Sequence, residues 1–599
     1  MAQTFRRQLS SERTKTKVWG PLTRELIKVF KEFCDSDQHL HEKNIRDACN
    51  ALDLYPSTSQ VHEMMVCAMD YGSPCKPDHF TFGEFCVLVA ELKTYYQLNP
   101  KPPVPVSMVR IRAERNIDRK KRRESLVHFA VFLGGSCNPT KWRAEIAIPF
   151  FKENGITFYN PQVQNWKPEL MELEAQAKQM ADIMFFVIDS KTRAISSMIE
   201  VAYLVATQRQ VVVTMCEYKS SNICVDSETL TDSYRLLRRC DSIPPQCEML
   251  DLVKGRLILT DLVERNGVPI FTDVRKALAC TKTIVKQGCH VSELTLKDGA
   301  HPVKHGHLKL GRALLELREA FNSVDSEDLG WLSSEDVCFA YKTCTGEEMD
   351  SKWLKTHRKN QDDFDYEEFC SIVTEYRAEM SSPTILQRIL TVILHPIQWI
   401  TSKFSEPFAT EEYTFDDEYH DVYLGGSDGD LLWRAEVAVP LFRKFGLSFV
   451  DPSSHDWDQK LIPIHVSLRE KCRLLFYVIS TDKRSLGSMC EAGYYIGKGC
   501  RMVLCVQKLE DNAVISDEQL SPCAIKDYNR GRQYLCDLAS REGIPLFDDI
   551  QEAANCVVNI LCDVQSATVH AHGIPRHGSQ AWLHSGPLHP HVSHQSSMT

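Results

Sequence analysis

Two stretches of the sequence are near copies of each other and decide the fold. The first is VFLGGSCNPTKWRAEIAIPFFKENGITFYNP, from Val131 to Pro161, and the second is VYLGGSDGDLLWRAEVAVPLFRKFGLSFVDP, from Val422 to Pro452. Beyond these stretches the pairing continues to Glu200 and Glu491, which follow the similar turns SSMI and GSMC. Self-similarity over such a length is the signature of a tandem repeat. The sequence therefore predicts two copies of one composite unit.

Each unit is predicted to contain a parallel sheet. In the first copy, short apolar runs alternate with amphipathic segments of helical length, and the runs span Val127 to Leu133, Ile156 to Tyr159, Ile183 to Ile188, Val211 to Met215 and Val268 to Phe271. This alternation predicts a doubly wound, flavodoxin- or Rossmann-like sheet with ligand clefts at the carboxyl ends of the strands. A helical stretch precedes the sheet in each unit, so the predicted fold class is α/β plus all-α.

Composition excludes some classes of partner. The chain has 599 residues, of which 43% are hydrophobic and 25% charged, and its formal net charge is -10. Nucleic-acid binding needs a basic surface that displaces counterions from phosphates, so we expect small-molecule and protein partners and no nucleic acid. The apolar stretch at 384–400 is interrupted by Arg388, His395 and Pro396, so no transmembrane segment is expected.

The beginning of the chain lacks the apolar core of a secretory signal, which predicts a reducing, cytoplasmic location in which the 23 cysteines are mostly buried thiols. The basic run Arg119 to Arg123 leaves nuclear entry open, although such runs are usually only solvated.

The helical part of the second unit contains an acidic loop. In LREAFNSVDSEDLGWLSSEDVCFAY, the candidate metal ligands Asp325, Glu327 and Asp336 fall at positions one, three and twelve, and Gly330 falls at position six. This spacing resembles the EF-hand family, which implies calcium as the one candidate cofactor. Position five is Leu329, which has no side-chain oxygen, so only weak calcium binding is expected.

Three further helix-loop-helix segments resemble EF-hands less closely. The partner loop would place Lys359 at position three, where a positive charge repels calcium. In the first unit, the loop near Asp35 is short and the loop from Asp70 to Glu84 is overlong. The hands are therefore interpreted as degenerate pairs that serve as modules for protein partners.

Each α/β part resembles the nucleoside 2-deoxyribosyltransferase-like family. The resemblance rests on FLGGS and YLGGS, on WRAE, on the pairs Asn160-Pro161 and Asp451-Pro452, and on the repeated carboxylates Glu200 and Glu491. In such enzymes a glutamate at this place attacks the anomeric carbon of a 2-deoxynucleoside while an aspartate assists the leaving base. The resemblance therefore implies a nucleoside or nucleotide ligand and names both glutamates as candidate catalytic residues.

Physical reasoning supports the same two glutamates. A carboxylate at the start of a helix stays ionised, as a nucleophile must, because the amide dipoles favour negative charge there. The acid partner in the first unit is either Asp182 or Asp189, which begin and end one strand, and Asp189 is preferred because the carboxyl ends of strands face the cleft. The second unit has lost both. A glutamate near a helix start also serves as a cap without chemistry.

The turns around the glutamates supply candidate ligand-binding residues. Glycines let the backbone approach a ligand, an arginine could reach a phosphate, and a tryptophan could stack on a base or simply pack in the core. In the first copy these residues are Gly134, Gly135, Ser136, Trp142, Arg143 and Ser197. In the second copy they are Gly425, Gly426, Ser427, Trp433, Arg434 and Ser488.

The chain is thus divided into seven segments. They are an EF-hand-like pair at 18–97, a basic linker at 98–124, a deoxyribosyltransferase-like domain at 125–290, a second EF-hand-like pair at 308–380, an amphipathic helix and linker at 381–415, a second deoxyribosyltransferase-like domain at 418–565 and a disordered tail at 567–599. Two functions fit this organisation: a nucleotide-binding regulatory or scaffold protein with degenerate sites, or an enzyme that breaks or transfers an N-glycosidic bond. Loss of the acid partner in one copy favours the first.

Overall fold

The computed structural model describes eleven stretches of the chain. They are residues 18–72, 78–98, 128–163, 170–216, 246–303, 310–325, 329–357, 362–380, 419–427, 432–453 and 461–571.

The first α/β domain is built on a five-stranded parallel sheet. Its strands are β3 (Phe129–Gly135), β4 (Phe158–Tyr159), β5 (Ala181–Ile188), β6 (Gln210–Met215) and β7 (Ile270–Phe271), in the order β4-β3-β5-β6-β7. Its helices are α5 (Ile148–Glu153), α6 (Leu170–Met180), α7 (Ile195–Ala206), α8 (Gln246–Arg265) and α9 (Val274–Gln287). This is the flavodoxin-like strand order, in which ligands bind beyond the carboxyl ends of the strands.

The second α/β domain repeats this topology. Its sheet has the order β11-β10-β12-β13-β16, formed by β10 (His420–Gly426), β11 (Phe449–Val450), β12 (Cys472–Ile479), β13 (Met502–Val506) and β16 (Leu546–Phe547). Its helices are α14 (Val439–Lys444), α15 (Leu461–Glu470), α16 (Leu486–Lys498), α17 (Pro522–Arg541) and α18 (Ile550–Ala571), and a hairpin of β14 (Val514–Ile515) and β15 (Glu518–Gln519) precedes α17. Two parallel α/β sheets are therefore confirmed.

The helical parts form two helix-loop-helix pairs. The first contains α1 (Pro21–Phe33), β1 (Leu40–His41), α2 (Glu42–Ala51), α3 (Thr58–Tyr71), β2 (His79–Phe80) and α4 (Phe82–Leu98). The second contains α10 (Arg312–Val324), β8 (Leu332–Ser333), α11 (Ser334–Thr345), α12 (Ser351–His357), β9 (Asp363–Phe364) and α13 (Tyr366–Met380). In each pair the loops are joined by a two-residue antiparallel sheet, with Leu40 opposite Phe80 and Leu332 opposite Phe364. Their identity as EF-hands stays a prediction.

The two helical pairs share one core, which joins residues such as Phe30 and Phe85 to Phe321 and Phe369. The two α/β domains are joined in the same way, since a single apolar cluster includes helix residues of both. The central contact is between α7 and α16, where a Cβ atom on Gly497 would lie 2.7 Å from the backbone carbonyl oxygen of Tyr203. The missing side chain therefore allows the two helices to approach closely.

The contacts between the α/β domains recur with the copies exchanged. Gly531 of α17 packs against Ile195 of α7, and Gly255 of α8 packs against Leu486 of α16. Because each pair occupies equivalent positions in the repeat, the tandem copies form a self-complementary interface like that of a twofold dimer.

Several predictions from sequence fall outside the described residues. The basic run at 119–123, the apolar stretch at 384–400 and the chain beyond Ala571 belong to this group. The last described helix runs to Ala571, past the predicted end of the domain at 565. None of the helices in the described stretches is long and apolar enough to span a membrane. All described cysteines are free thiols, as predicted, but most of them are partly buried or exposed rather than buried.

Candidate functional site

Both repeated glutamates lie within helices rather than at their starts. Helix α7 begins at Ile195 after the left-handed residue Ala194, and α16 begins at Leu486 after the left-handed Ser485, so Glu200 and Glu491 fall in the second turn. The expectation of a carboxylate at a helix start is therefore wrong. Because the effect of the helix dipole falls off within the first turn, the negative charges of the two glutamates must be stabilised by another group.

In the first copy that group is a lysine. Lys178 of α6 forms a short ion pair with the Glu200 carboxylate, and its Nζ also lies 3.8 Å from Glu174 Oε2. The three side chains are only 12–14% exposed. Burial raises the pKa of Glu200 above its ordinary value, and the Lys178 ammonium opposes this rise. The first site is thus a nearly enclosed triad of two carboxylates around one cation.

The second α/β domain completes the surroundings of the first site. Tyr534 of α17 donates its hydroxyl to Glu174 Oε2 at 2.9 Å, and Arg530 of the same helix favours the charged form of Glu200. Sequence reasoning missed these residues as well as Lys178 and Glu174. Lys178 could have been found from the sequence, because a basic residue, Arg469, occupies the equivalent position of the second copy. Tyr534 could not, because it reaches this site from the other copy.

In the second copy the glutamate is held by an arginine. Arg469 of α15 lies 2.6 Å from Glu491 Oε1, and the Tyr477 hydroxyl donates to Glu491 Oε2 at 3.4 Å. The guanidinium of Arg469 also lies 4.9 Å from the ring centroid of Tyr423 and 5.5 Å from that of Tyr495. Although burial opposes the charged form of Arg469, the Glu491 carboxylate raises its pKa well above its ordinary value. In the second site the cation is therefore almost fully buried among aromatic side chains, whereas Glu491 keeps the same 12% exposure as Glu200.

The two candidate acids do not join Glu200. Asp182 lies at the amino end of β5, where its Oδ2 is 2.9 Å from His128 Nε2. Asp189 follows the carboxyl end of β5, and its Oδ1 accepts a hydrogen bond from the Lys191 amide at 2.7 Å. Within the described stretches, no contact links either aspartate to the Glu200 carboxylate, which lies instead beside Glu174 and Lys178.

The glycine turns leave room for neighbouring protein groups. A Cβ atom on Gly134 would lie 2.4 Å from the ring of Phe186, and one on Gly425 would lie 2.6 Å from the ring of Tyr477. The next residues, Gly135 and Gly426, have φ angles of 101° and 116°, which favour glycine. These positions therefore meet packing and backbone requirements of the sheet itself.

The serines after the glycines hold the loops at the carboxyl end of the sheet. Ser136 Oγ accepts hydrogen bonds from the Asp189 amide at 2.9 Å and from the Thr192 hydroxyl at 2.6 Å. Ser427 is placed in the same way, accepting from the Ser480 amide at 3.0 Å. Of the two serines on the site helices, Ser488 donates to the Gly426 carbonyl oxygen at 3.0 Å, and Ser197 is half-buried on α7.

The tryptophan and arginine of each WRAE motif are buried. Trp142 Nε1 donates to the Ser136 carbonyl oxygen at 2.9 Å, and the Arg143 guanidinium donates to the carbonyl oxygens of Ser136 and Gly135 at 2.5 and 3.0 Å. In the second copy, Trp433 Nε1 and Arg434 Nη1 donate to the Ser427 carbonyl oxygen at 3.1 and 3.0 Å. These side chains fasten the end of the first strand to the next helix and do not lie open to a base or a phosphate.

The predicted calcium loop is tied to its own backbone. Asp325 accepts hydrogen bonds from the amides of Leu329 and Gly330, both at 2.8 Å, and Asp336 accepts from the Ser333 hydroxyl at 2.6 Å as part of a capping box. Glu327 lies outside the described residues. Among those described, no three acidic, histidine or cysteine side chains are arranged to hold a metal ion. Calcium binding at this loop therefore stays a prediction.

The comparison with protein families agrees with the fold. Residues 128–218 and 419–509 each match the model of the family described as nucleoside 2-deoxyribosyltransferase like. The chain thus contains two nucleoside 2-deoxyribosyltransferase-like domains in tandem. This similarity supports a function related to nucleosides, as in the family as a whole. Neither the search of curated proteins nor the search of solved structures gave a match.

Proposed function

We propose that the chain is a regulatory or scaffold protein that binds a nucleoside or nucleotide, and that it does not act as a transferase. The observation that carries the proposal is the state of the two repeated glutamates. Glu200 is ion-paired with Lys178, and Glu491 is enclosed by Arg469 and Tyr477. A carboxylate whose charge is neutralised by a bound cation is a weaker nucleophile than a free one.

The ligand is assigned to the first α/β domain. Glu200, Lys178 and Glu174 keep some exposure there and offer both donors and acceptors to a sugar. In the second domain, Glu491 is as exposed as Glu200, at 12%, but its partner Arg469 is only 3% exposed and lies against the rings of Tyr423 and Tyr495. The first copy would thus bind the ligand, whereas the second would support it through α17.

An enzymatic function has one specific observation in its favour. Glu174 and Glu200 both approach Lys178, and hydrolysis of glycosidic bonds commonly uses two carboxylates, one as nucleophile and one as acid. In this alternative Glu200 would attack the sugar and Glu174 would protonate the leaving base. An N-glycosidic-bond hydrolase or deoxyribosyltransferase is therefore the second candidate.

One experiment separates the two functions. The full chain is incubated with deoxynucleosides and their monophosphates, release of free base is followed by chromatography, and binding is measured by calorimetry. We expect binding that is weakened in Glu200→Gln, without release of base. Free base, or a glycosyl ester trapped on Glu200, would establish the enzyme instead.

The helical pairs are proposed to be modules for protein partners with a weak calcium response at the Asp325 loop. A calorimetric calcium titration of the wild type and of Asp325→Ala tests this part. Weak heat that disappears in the variant supports it, and equal heat from both chains contradicts it.

A further inference from the structure

A fully buried arginine of the second α/β domain has hydrogen-bond donors that no described group accepts. Arg532 lies on α17 with its side chain 0% exposed. Its Nη2 donates to the backbone carbonyl oxygens of Ser480 and Lys483 at 3.0 and 2.8 Å. Its Nε and Nη1 are also buried, yet reach no partner within the described stretches. Buried polar groups are almost always paired, so acceptors are missing here.

The equivalent arginine of the first copy shows how this position is otherwise satisfied. Arg256 of α8 donates through Nη2 to the Asp189 carbonyl oxygen and through Nη1 to the Cys216 carbonyl oxygen, both at 2.8 Å. It therefore joins the residues that follow the carboxyl ends of β5 and β6. In this arrangement both terminal nitrogens have protein acceptors.

The second copy does not repeat this bridge. Arg532 keeps the bond to Ser480, which occupies the position of Asp189, but its second bond goes to Lys483 of the same loop. Gln507, at the position of Cys216, is left without this contact, and its Oε1 is buried without a partner in the described part of the chain. The side chain of Arg532 is thus detached from the end of β13, at the edge of the sheet where doubly wound folds bind ligands.

The Asp251 and Asp482 carboxylates favour the charged form of Arg532. Among the described residues, no carboxylate forms an ion pair with Arg532, and burial lowers its pKa to about 10. A second buried arginine, Arg484, starts the turn into α16. Its Nη2 lies 2.8 Å from Glu518 Oε2, while its Nε is buried without a described partner. A fully buried cation is costly unless a counter-ion is supplied.

The nearby carboxylates are already engaged. Asp251 accepts hydrogen bonds from the Tyr528 hydroxyl at 2.8 Å and from the Leu486 amide at 3.1 Å, and Asp482 accepts from the Ser480 hydroxyl. Replacement of the aspartate of the first copy by Ser480 also removes one negative charge from this edge of the sheet.

We propose that the loops at the carboxyl end of the second sheet form an oxyanion site, in which the unpaired donors of Arg532 bind a phosphate group. The assignment of that phosphate to a nucleotide rests on the proposed function, whereas the oxyanion site itself does not. The two copies would then bind different parts of a ligand: the carboxylate triad of the first copy suits a sugar, and Arg532 of the second copy suits a phosphate. Guanidinium groups bind phosphate through paired, charge-assisted hydrogen bonds.

The test uses the full chain and three probes: inorganic phosphate, a nucleoside and the matching nucleoside monophosphate. Binding is measured by calorimetry at constant ionic strength, with chloride as the control anion. We expect phosphate and the monophosphate to bind, and Arg532→Gln to weaken both by about tenfold or more. The matched control Arg256→Gln should leave phosphate affinity unchanged, because Arg256 already has protein acceptors on both terminal nitrogens.

Equal phosphate affinity in the wild type and Arg532→Gln, or no phosphate binding at all, would overturn the proposal. If Arg532→Gln does not fold, crystals of the wild type soaked in tungstate decide the question: density within hydrogen-bond distance of Arg532 supports the site, and density elsewhere or none rejects it.

The probes also separate this proposal from the proposed function. Nucleoside binding that depends on Glu200, without phosphate binding, would leave the proposed function in place and remove the oxyanion site. Binding of inorganic phosphate without any nucleoside or nucleotide would do the reverse.

Discussion

The two repeated glutamates occupy equivalent positions in the repeat, yet the side chains around them differ. Lys178 pairs with Glu200 and still has Glu174 as a second counter-ion, whereas Arg469 pairs with Glu491 and lies against the rings of two tyrosines. The same backbone position therefore holds a small polar cluster in one copy and a packed aromatic and ionic core in the other. A carboxylate inherited with a repeat can thus become a structural group.

The largest expected effect comes from breaking the pair in the second copy. Glu491→Gln leaves Arg469 buried and without its counter-ion, which should lower the free energy of unfolding by about 3–5 kcal/mol. The matched change Glu200→Gln should cost less, because Lys178 keeps Glu174 as a second counter-ion. Chemical denaturation of both variants measures the difference, and equal losses would show that the two sites do not differ as described.

The interface between the copies provides the next comparison, using two glycines of α16. Gly497→Ala would place a Cβ atom 2.7 Å from the backbone carbonyl oxygen of Tyr203, so we expect a loss of about 1–3 kcal/mol. Gly487→Ala meets only the flexible end of Ile258, at 2.5 Å, and alanine favours a helix over glycine, so its effect should be close to zero. A larger loss at Gly487, seen by thermal unfolding, would contradict the backbone packing described for α7 and α16.

A smaller difference is expected for two equivalent hydrogen bonds across this interface. The Tyr203 hydroxyl donates to Glu542 Oε1 at 2.5 Å, whereas the Tyr494 hydroxyl accepts from Asn266 Nδ2 at 2.9 Å. Because bonds to charged groups are stronger, Tyr203→Phe should cost about 1.5–3 kcal/mol and Tyr494→Phe about 1 kcal/mol. The reverse order in denaturation experiments would argue against an ionised Glu542 at this contact.

The smallest effect is a pH dependence at the first site. Burial raises the pKa of Glu200 in the folded chain above its ordinary value of 4.5, so the folded state loses this proton at a higher pH than the unfolded state. The contribution of Glu200 to stability is therefore complete below pH 4.5 and declines as pH rises through the raised pKa, by at most about 1.4 kcal/mol per pH unit. The stability of the wild type relative to Glu200→Gln should fall over this range, and a rise would show that Lys178 dominates over burial.

Most of the fold could be predicted from sequence because both copies of the repeat show the same alternation of apolar runs and amphipathic segments. Short apolar runs between amphipathic segments identify buried parallel strands, and the observed β3, β5 and β6 fall on three of the predicted runs with small shifts at their ends. The weakest predictions concerned chemistry. Asp182 and Asp189 were chosen by their positions on a strand, but side chains on other elements determine which carboxylate lies beside Glu200.

The sequence by itself determined the duplication, the two parallel sheets and the helices that carry the repeated glutamates, because these depend on periodicities within short segments. Only the tertiary structure decided what surrounds each glutamate. Lys178 and Arg469 arrive from preceding helices, Tyr534 arrives from the other copy, and the rings of Phe186 and Tyr477 fill the space beside the glycine turns. Burial, the pairing of charges and the hydrogen bonds of Arg532 all depend on groups that are far apart in the chain. A local sequence pattern does not show which of these distant groups come into contact.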